Sequence, residues 1–229
     1  MIGELIHIDK ILTLALNGSF SLFLDGVATS ATATLTWIPL AVVFLYIVIK
    51  NNDMSGIFMV IVAVGLCIFI ADQTASTIFK PMICRYRPAN DPQLMYLVDI
   101  VNDYRGGRYG FFSSHAANTF AVATFCALLV RYRILTIGLF SWAILNCWTR
   151  VYLGVHYFGD LIVGMFFGII VGAFVYGVFV RLRKHRTMLS RYYSETQTMT
   201  GYAIKDIQVL ILALVSTYIY VLFSALFIK

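Results

Sequence analysis

The chain has 229 residues, of which 60% are hydrophobic and only 12% charged, and its mean hydropathy is +0.84. That balance, with the apolar residues gathered in long runs, excludes an ordinary soluble domain and points to one membrane-embedded helical bundle. The net charge of +6 is modest and much of it falls in short loops, which suits topology and anion chemistry and argues against nucleic-acid binding.

Residues 1–30 carry Leu5, Ile8, Ile11, Leu12 and Leu16 at helical spacing, interrupted by Glu4, His7, Asp9 and Lys10. This reads as a helix lying in the membrane interface, with a full span as the alternative, and Asn17-Gly18-Ser19 as a break. No basic stretch precedes an apolar core in MIGELIHIDK, so no cleavable signal peptide is expected, and the first true span is expected to act as its own insertion signal. Six spans are predicted, at about 31–49, 56–79, 114–130, 134–148, 158–180 and 207–228; the fourth is short and calls for extension at its ends. The expected fold is therefore all-α: about six transmembrane helices plus an N-terminal interfacial helix, forming a single domain over 1–229. Cys67, Cys84, Cys126 and Cys147 form no CxxC pair, so they read as buried reduced thiols, with neither a disulfide framework nor a metal site.

Alternating spans place Lys50, Arg131, Arg133 and the loop 181–206 on one face, and the loop 80–112 and the turn 150–157 on the other. Lys and Arg divide almost evenly between the faces. Once three cations with a chemical assignment (Lys80, Arg87, Arg150) are set aside, the first face is the richer. The positive-inside rule then puts that face in the cytoplasm and the chemistry outside it.

Ionisable groups are costly near a span, so their placement is informative. Lys80 and Arg87 follow the second span, Ser113, Ser114 and His115 open the third, Arg150 closes the fourth, and His156 and Asp160 open the fifth. All meet at one face. Three permanent cations and the N-terminus of a helix make a phosphate cradle, because guanidinium forks and free backbone N–H groups both complement phosphate oxygens. His156 and Asp160, four apart at a predicted helix start, fall on one face. A carboxylate on one ring nitrogen leaves the other free to attack, and His115 supplies an acid for the leaving oxygen. Such a set needs no cofactor and no metal.

Three segments carry a resemblance. Lys80-x6-Arg87-Pro88, Phe112-Ser113-Ser114-His115 and Thr149-Arg150-x5-His156-x3-Asp160 resemble, in order and internal spacing, the three motifs of the type 2 phosphatidic acid phosphatase superfamily (Lys-x6-Arg-Pro, Pro-Ser-Gly-His, Ser-Arg-x5-His-x3-Asp). The similarity covers about 56–180. It implies that Lys80, Arg87, Ser113, Ser114 and Arg150 bind phosphate, that His156 attacks phosphorus, that Asp160 orients it and that His115 is the general acid, with a phosphohistidine hydrolysed by water. Phe112 replaces proline, Ser114 glycine and Thr149 serine; Ser114 keeps its backbone N–H available unless the turn demands a positive φ. The resemblance implies a bacterial inner-membrane phosphatase acting on a membrane lipid phosphate or diphosphate, with undecaprenyl diphosphate and lipid A favoured. A lipid phosphotransferase using the same site and a non-enzymatic transporter are the alternatives.

Other residues read more plainly. His7 and His185 are structural, and Arg85, Arg105 and Arg108 are solvated loop charges, with Arg85 or Arg108 able to reach a second phosphate. Asp72, eight residues before Lys80 and on its face, pairs with Lys80 or lines a wet pocket. Gly164, Gly168 and Gly172 form a small-residue ladder for packing inside the bundle, a homodimer contact being the other use. Tyr96, Tyr104, Tyr109, Phe111 and Phe112 guide a lipid chain or anchor the loop at the interface.

Overall fold

The structure, a computed structural model, describes residues 2–184 and 196–227; His185, Arg186 and Arg191 lie outside them. Two short helices open the chain, α1 (Ile2–Leu16) and α2 (Leu22–Thr32). Each is shorter than the roughly 20 residues that cross a bilayer. Gly18, with φ of 59°, makes the break between them. Its N–H donates to the Tyr152 carbonyl, and the Asn17 amide donates to the carbonyls of Asp99 and Tyr152.

Five long spans and one shorter apolar helix follow among the described residues, alternating in direction. α3 (Thr34–Asn51) runs away from the site face and α4 (Met54–Gln73) returns to it. Asp53 caps α4 by accepting from the Gly56 N–H, the usual work of a short carboxylate at a helix start. A π-helical segment, Thr74–Phe79, and the four-residue α5 (Lys80–Ile83) continue α4 into one apolar rod. Cys84 ends α5 in the left-handed region, and it is exposed, not buried as the sequence suggests. Beyond the loop come α6 (Ser114–Val130), α7 (Arg133–Tyr152), α8 (Phe158–Lys184) and α9 (Ile204–Ser224). Among the described residues, α3, the α4–α5 rod, α7, α8 and α9 are long and apolar enough to cross a membrane, and α6 is a shorter apolar helix. The short fourth predicted span, 134–148, gains residues at both ends as α7.

α6 is the central helix and α8 its closest partner. Cβ atoms added at Gly164, Gly168 and Gly172 would lie 2.7, 2.4 and 2.4 Å from the carbonyl oxygens of Ser113, Ala117 and Ala121. The glycine ladder is thus consumed inside the bundle, where it lets two backbones touch. Exposed apolar side chains such as Leu35, Val42, Phe166, Ile170 and Phe174 form the outer, lipid-type surface. At the face away from the site, Lys50 pairs with Asp206 at 2.6 Å and Asn51 donates to the same carboxylate, tying α3 to α9.

Candidate active site

Four helix ends converge at one face: the C-terminus of the α4–α5 rod, the N-termini of α6 and α8, and the C-terminus of α7. The eight residues singled out in the sequence gather there. Ser113 is fully buried and caps α6, its Oγ accepting from the Ala116 N–H at 3.4 Å. Its own N–H donates to the Asp160 carbonyl, so the backbone donors aimed from the helix start are those of Ser114 and His115. Ser114 opens the helix without a positive φ, so serine in place of glycine costs the turn nothing. Its hydroxyl accepts from Lys80 Nζ at 3.3 Å, and Ser76 Oγ accepts from the same ammonium at 3.1 Å. Asp72 reaches Lys80 only through Ser76, at 3.4 Å.

The two arginines of the cradle are held by neutral groups. Arg87 donates to the carbonyls of Tyr109 and Val155; Arg150 donates to the hydroxyls of Thr32 and Tyr104 and retains a buried Nε with no acceptor. Burial, and then Arg150, lower the pKa of Arg87, yet a guanidinium remains charged. Among the described residues, none of Lys80, Arg87 and Arg150 has a carboxylate within 4 Å. Three cations with no carboxylate in contact make a cradle whose charge complements an external anion.

Arg85 behaves differently, and here the sequence reading is corrected. It is no solvated loop charge. Its guanidinium bridges Asp160 Oδ1 at 2.8 Å and Asp9 Oδ2 at 2.6 Å and lies 3.9 Å over the Tyr157 ring. Burial opposes its charge, but Asp160 and Asp9 outweigh burial and raise its pKa. Asp9 also accepts from the Gly159 N–H, and Thr13 from the Phe158 N–H. Helix α1 thus caps the start of α8 from outside.

His156 is 1% exposed and Asp160 fully buried. The pair meets, although His156 precedes α8 and only Asp160 lies in its first turn; the turn, not a shared helical face, brings them together. Nδ1 stands 3.6 Å from Asp160 Oδ2, beyond hydrogen-bond length, and has no other acceptor or donor. Burial, followed by Arg87, Arg150, Lys80 and His115, holds the imidazole well below its usual pKa, so it is neutral with a lone pair at pH 7. Gly110 lies against this pair: a Cβ there would sit 3.1 Å from Asp160 Oδ2 and 3.5 Å from His156 Nδ1. Periodicity and motif spacing give no sign of Gly110 or of Arg85.

The loop aromatics divide. Tyr104 holds Arg150, while Tyr86 and Tyr109 flank exposed Arg108. Phe112 is buried against Phe79 and Phe167, a plug beneath the site and no guide for a chain. Tyr96 remains exposed.

A bundle of apolar spans with an anion cradle, a neutral buried histidine and a second histidine at one membrane face defines an integral-membrane phosphatase. The sequence pattern of the PAP2 superfamily matches residues 56–184, and the chain belongs to that superfamily. It is 41% identical to the lipid A 4'-phosphatase of Bacteroides thetaiotaomicron, across 73% of this chain and 75% of that one. It is 35% identical to the lipid A 4'-phosphatase of Porphyromonas gingivalis, across 78% and 76%. The transmembrane PAP2 type phosphatidylglycerolphosphate phosphatase of Bacillus subtilis shares the fold, with a TM-score of 0.59 at 20% identity, covering 82% of this chain and 90% of that one.

Proposed function

We propose that this single-domain membrane protein removes a phosphate from lipid A or a closely similar glycolipid phosphate, by way of a phosphohistidine. The observation that carries the reading is the trio Lys80, Arg87 and Arg150, paired with neutral groups only. Sugar-lipid phosphate is favoured over undecaprenyl diphosphate by the relatives' activity.

Phosphate oxygens replace the missing counter-anion, with the N–H groups of Ser114 and His115 completing the cradle. Nδ1 of His156 faces Asp160, so Nε2 attacks phosphorus. Phosphate charge offsets the three cations around His115 and lets it take up a proton; as the N–P bond forms, the P–O bond to the lipid breaks in line, and His115 gives that proton to the leaving oxygen. The imidazolium character gained at His156 is met by Asp160, whose 3.6 Å gap closes to a hydrogen bond as charge develops. Water then attacks phosphorus, gives its proton to His115 and frees His156 and inorganic phosphate. The site face is extracytoplasmic, on the outer side of the bacterial inner membrane.

Phosphate release from lipid A, phosphatidic acid, phosphatidylglycerol phosphate and undecaprenyl diphosphate by the detergent-solubilised protein tests this. Lipid A is expected to be fastest, with His156→Ala inactive and acid quench trapping labelled phosphate on wild type. Equal release by His156→Ala would sink the phosphohistidine.

A further inference from the structure

Helix α1 lies outside the stretch that matches the superfamily pattern, yet it reaches the His156–Asp160 pair. Leu5, Ile8, Ile11 and Leu12 are exposed on it, the apolar face that an interfacial helix turns to lipid. Asp9 and Thr13, one turn apart, point the other way. Thr13 Oγ1 accepts from the Phe158 N–H at 3.0 Å, and Asp9 Oδ1 accepts from the Gly159 N–H at 2.7 Å. Gly159 permits this approach, since a Cβ there would lie 3.0 Å from Asp9 Oδ2. Asp9 Oδ2 meets Arg85 Nη2 at 2.6 Å, and Arg85 Nη1 meets Asp160 Oδ1 at 2.8 Å. A line of contacts therefore runs from α1 through Arg85 and Asp160 to His156.

That line has a definite charge. Two carboxylates and one guanidinium leave one net negative charge beside His156, against the three positive charges of the cradle. Asp160 is fully buried, and a buried carboxylate without a counter-ion would take up a proton or weaken the fold. Arg85 prevents that. Alone, however, its guanidinium would also cancel most of the field that Asp160 casts on His156. Asp9 offsets this from the far side of the fork: Nη2 serves Asp9 while Nη1 serves Asp160, so two carboxylates share one positive charge. Orientation is fixed by the same contacts. Oδ1 of Asp160 is taken by Arg85 and the Tyr157 N–H donates to Oδ2 at 3.2 Å, which keeps Oδ2 turned to His156 Nδ1.

We infer that Asp9 is a positioning residue of the active site: acting through Arg85, it holds Asp160 in register with His156 and preserves the negative charge that meets the imidazolium character gained as His156 attacks phosphorus. The inference rests on the phosphatase reading above. Asp9 touches neither the cradle cations nor His156, so phosphate binding does not depend on it. Seating of α1 does not depend on its charge either, because Lys10 donates to Gln93, Thr13 accepts from Phe158 and the Asn17 amide donates to Asp99 and Tyr152. Helix α1 is then part of the catalytic apparatus, and the stretch 56–184 alone lacks the second carboxylate.

The test uses the full chain in detergent with lipid A as substrate. Asp9→Asn keeps the size of the side chain and an oxygen for the Gly159 N–H, and removes the charge. The single-turnover rate of lipid dephosphorylation should fall about three- to tenfold, while KM and the inhibition constant of inorganic phosphate change by less than about twofold. A double-mutant cycle shows whether the effect passes through the guanidinium: in an Arg85→Met background, Asp9→Asn should cost nothing further. Thr13→Val loosens α1 without altering charge, so it should lower the melting temperature and cost far less of the rate than Asp9→Asn. An unchanged rate in Asp9→Asn, losses that multiply in the double variant, or an equal loss of rate in Thr13→Val each overturns the role of Asp9 and leaves the phosphatase standing. No dephosphorylation of any lipid by wild type rejects the phosphatase reading and the role of Asp9 with it.

Discussion

At the scale of single residues, charge pairing separates two kinds of arginine. Arg87 and Arg150 rest on carbonyls and hydroxyls, whereas Arg85 joins two carboxylates. Arg85→Met should therefore leave phosphate affinity nearly intact and lower kcat about 10–100-fold, the equivalent of about 1.5–3 kcal/mol for a charged hydrogen bond lost beside Asp160. Steady-state kinetics split into KM and kcat would show it; a rise in KM alone would place Arg85 in the cradle instead. His156 gives a pH prediction. Its folded pKa lies below the ordinary histidine value of about 6.5, so below that pH the unfolded chain binds a proton that the folded chain refuses. Stability then falls as pH drops, by up to about 1.4 kcal/mol per unit, until the lowered pKa is reached. Between pH 7.5 and 5.5 the wild type should lose more thermal stability than His156→Gln; equal losses would reject the burial argument. The motif residues were legible because their spacing within each segment is short and fixed. Arg85 was not, since its partner Asp9 is 76 positions away on a helix whose docking no local pattern announces. Gly110 was not legible either, because its contribution is the absence of a Cβ.

At the scale of elements, the α6–α8 contact sets the separation between the cradle and the His156–Asp160 pair. Gly168→Ala would force a methyl to 2.4 Å from the Ala117 carbonyl, and should destabilise the bundle by about 1–3 kcal/mol and disturb the bond from Ser113 N–H to the Asp160 carbonyl. Gly177 lies on the same helix with open space around it; Gly177→Ala should be neutral or stabilising by about 0.5–1 kcal/mol. Melting in detergent distinguishes the two, and equal effects would mean that α6 and α8 are not in close contact. The spans were readable because long apolar runs have one solution in lipid. Their ends were less so: the fourth predicted span stops at 148, whereas α7 runs on to Tyr152 and carries Arg150 within it, held by Thr32 and Tyr104. The break at Asn17-Gly18-Ser19 was visible, but the cap that α1 places on α8 was not, since Thr13 and Asp9 act on backbone N–H groups that no side-chain pattern reveals.

At the scale of the whole molecule, the candidate site lies at one face, and the cysteines offer a way to learn which side of the membrane that face meets. Cys84 is exposed beside that face and Cys67, Cys126 and Cys147 are buried. In intact spheroplasts a membrane-impermeant maleimide should label the wild type and not Cys84→Ser; labelling only after lysis would reverse the orientation. A cavity of about 370 Å³ that His115 borders has Thr34 and Ile68 in its lining, both of them exposed, on flanks of α3 and α4 that otherwise present apolar side chains outward. A lipid substrate that enters there arrives by lateral diffusion, and the quantity that governs its encounter is its mole fraction among neighbouring lipids, not its amount per volume of buffer. Adding inert phospholipid at constant total substrate should slow turnover in proportion, much as dilution slows a reaction in solution, so rates measured in mixed micelles acquire meaning only when the micelle composition is stated with them.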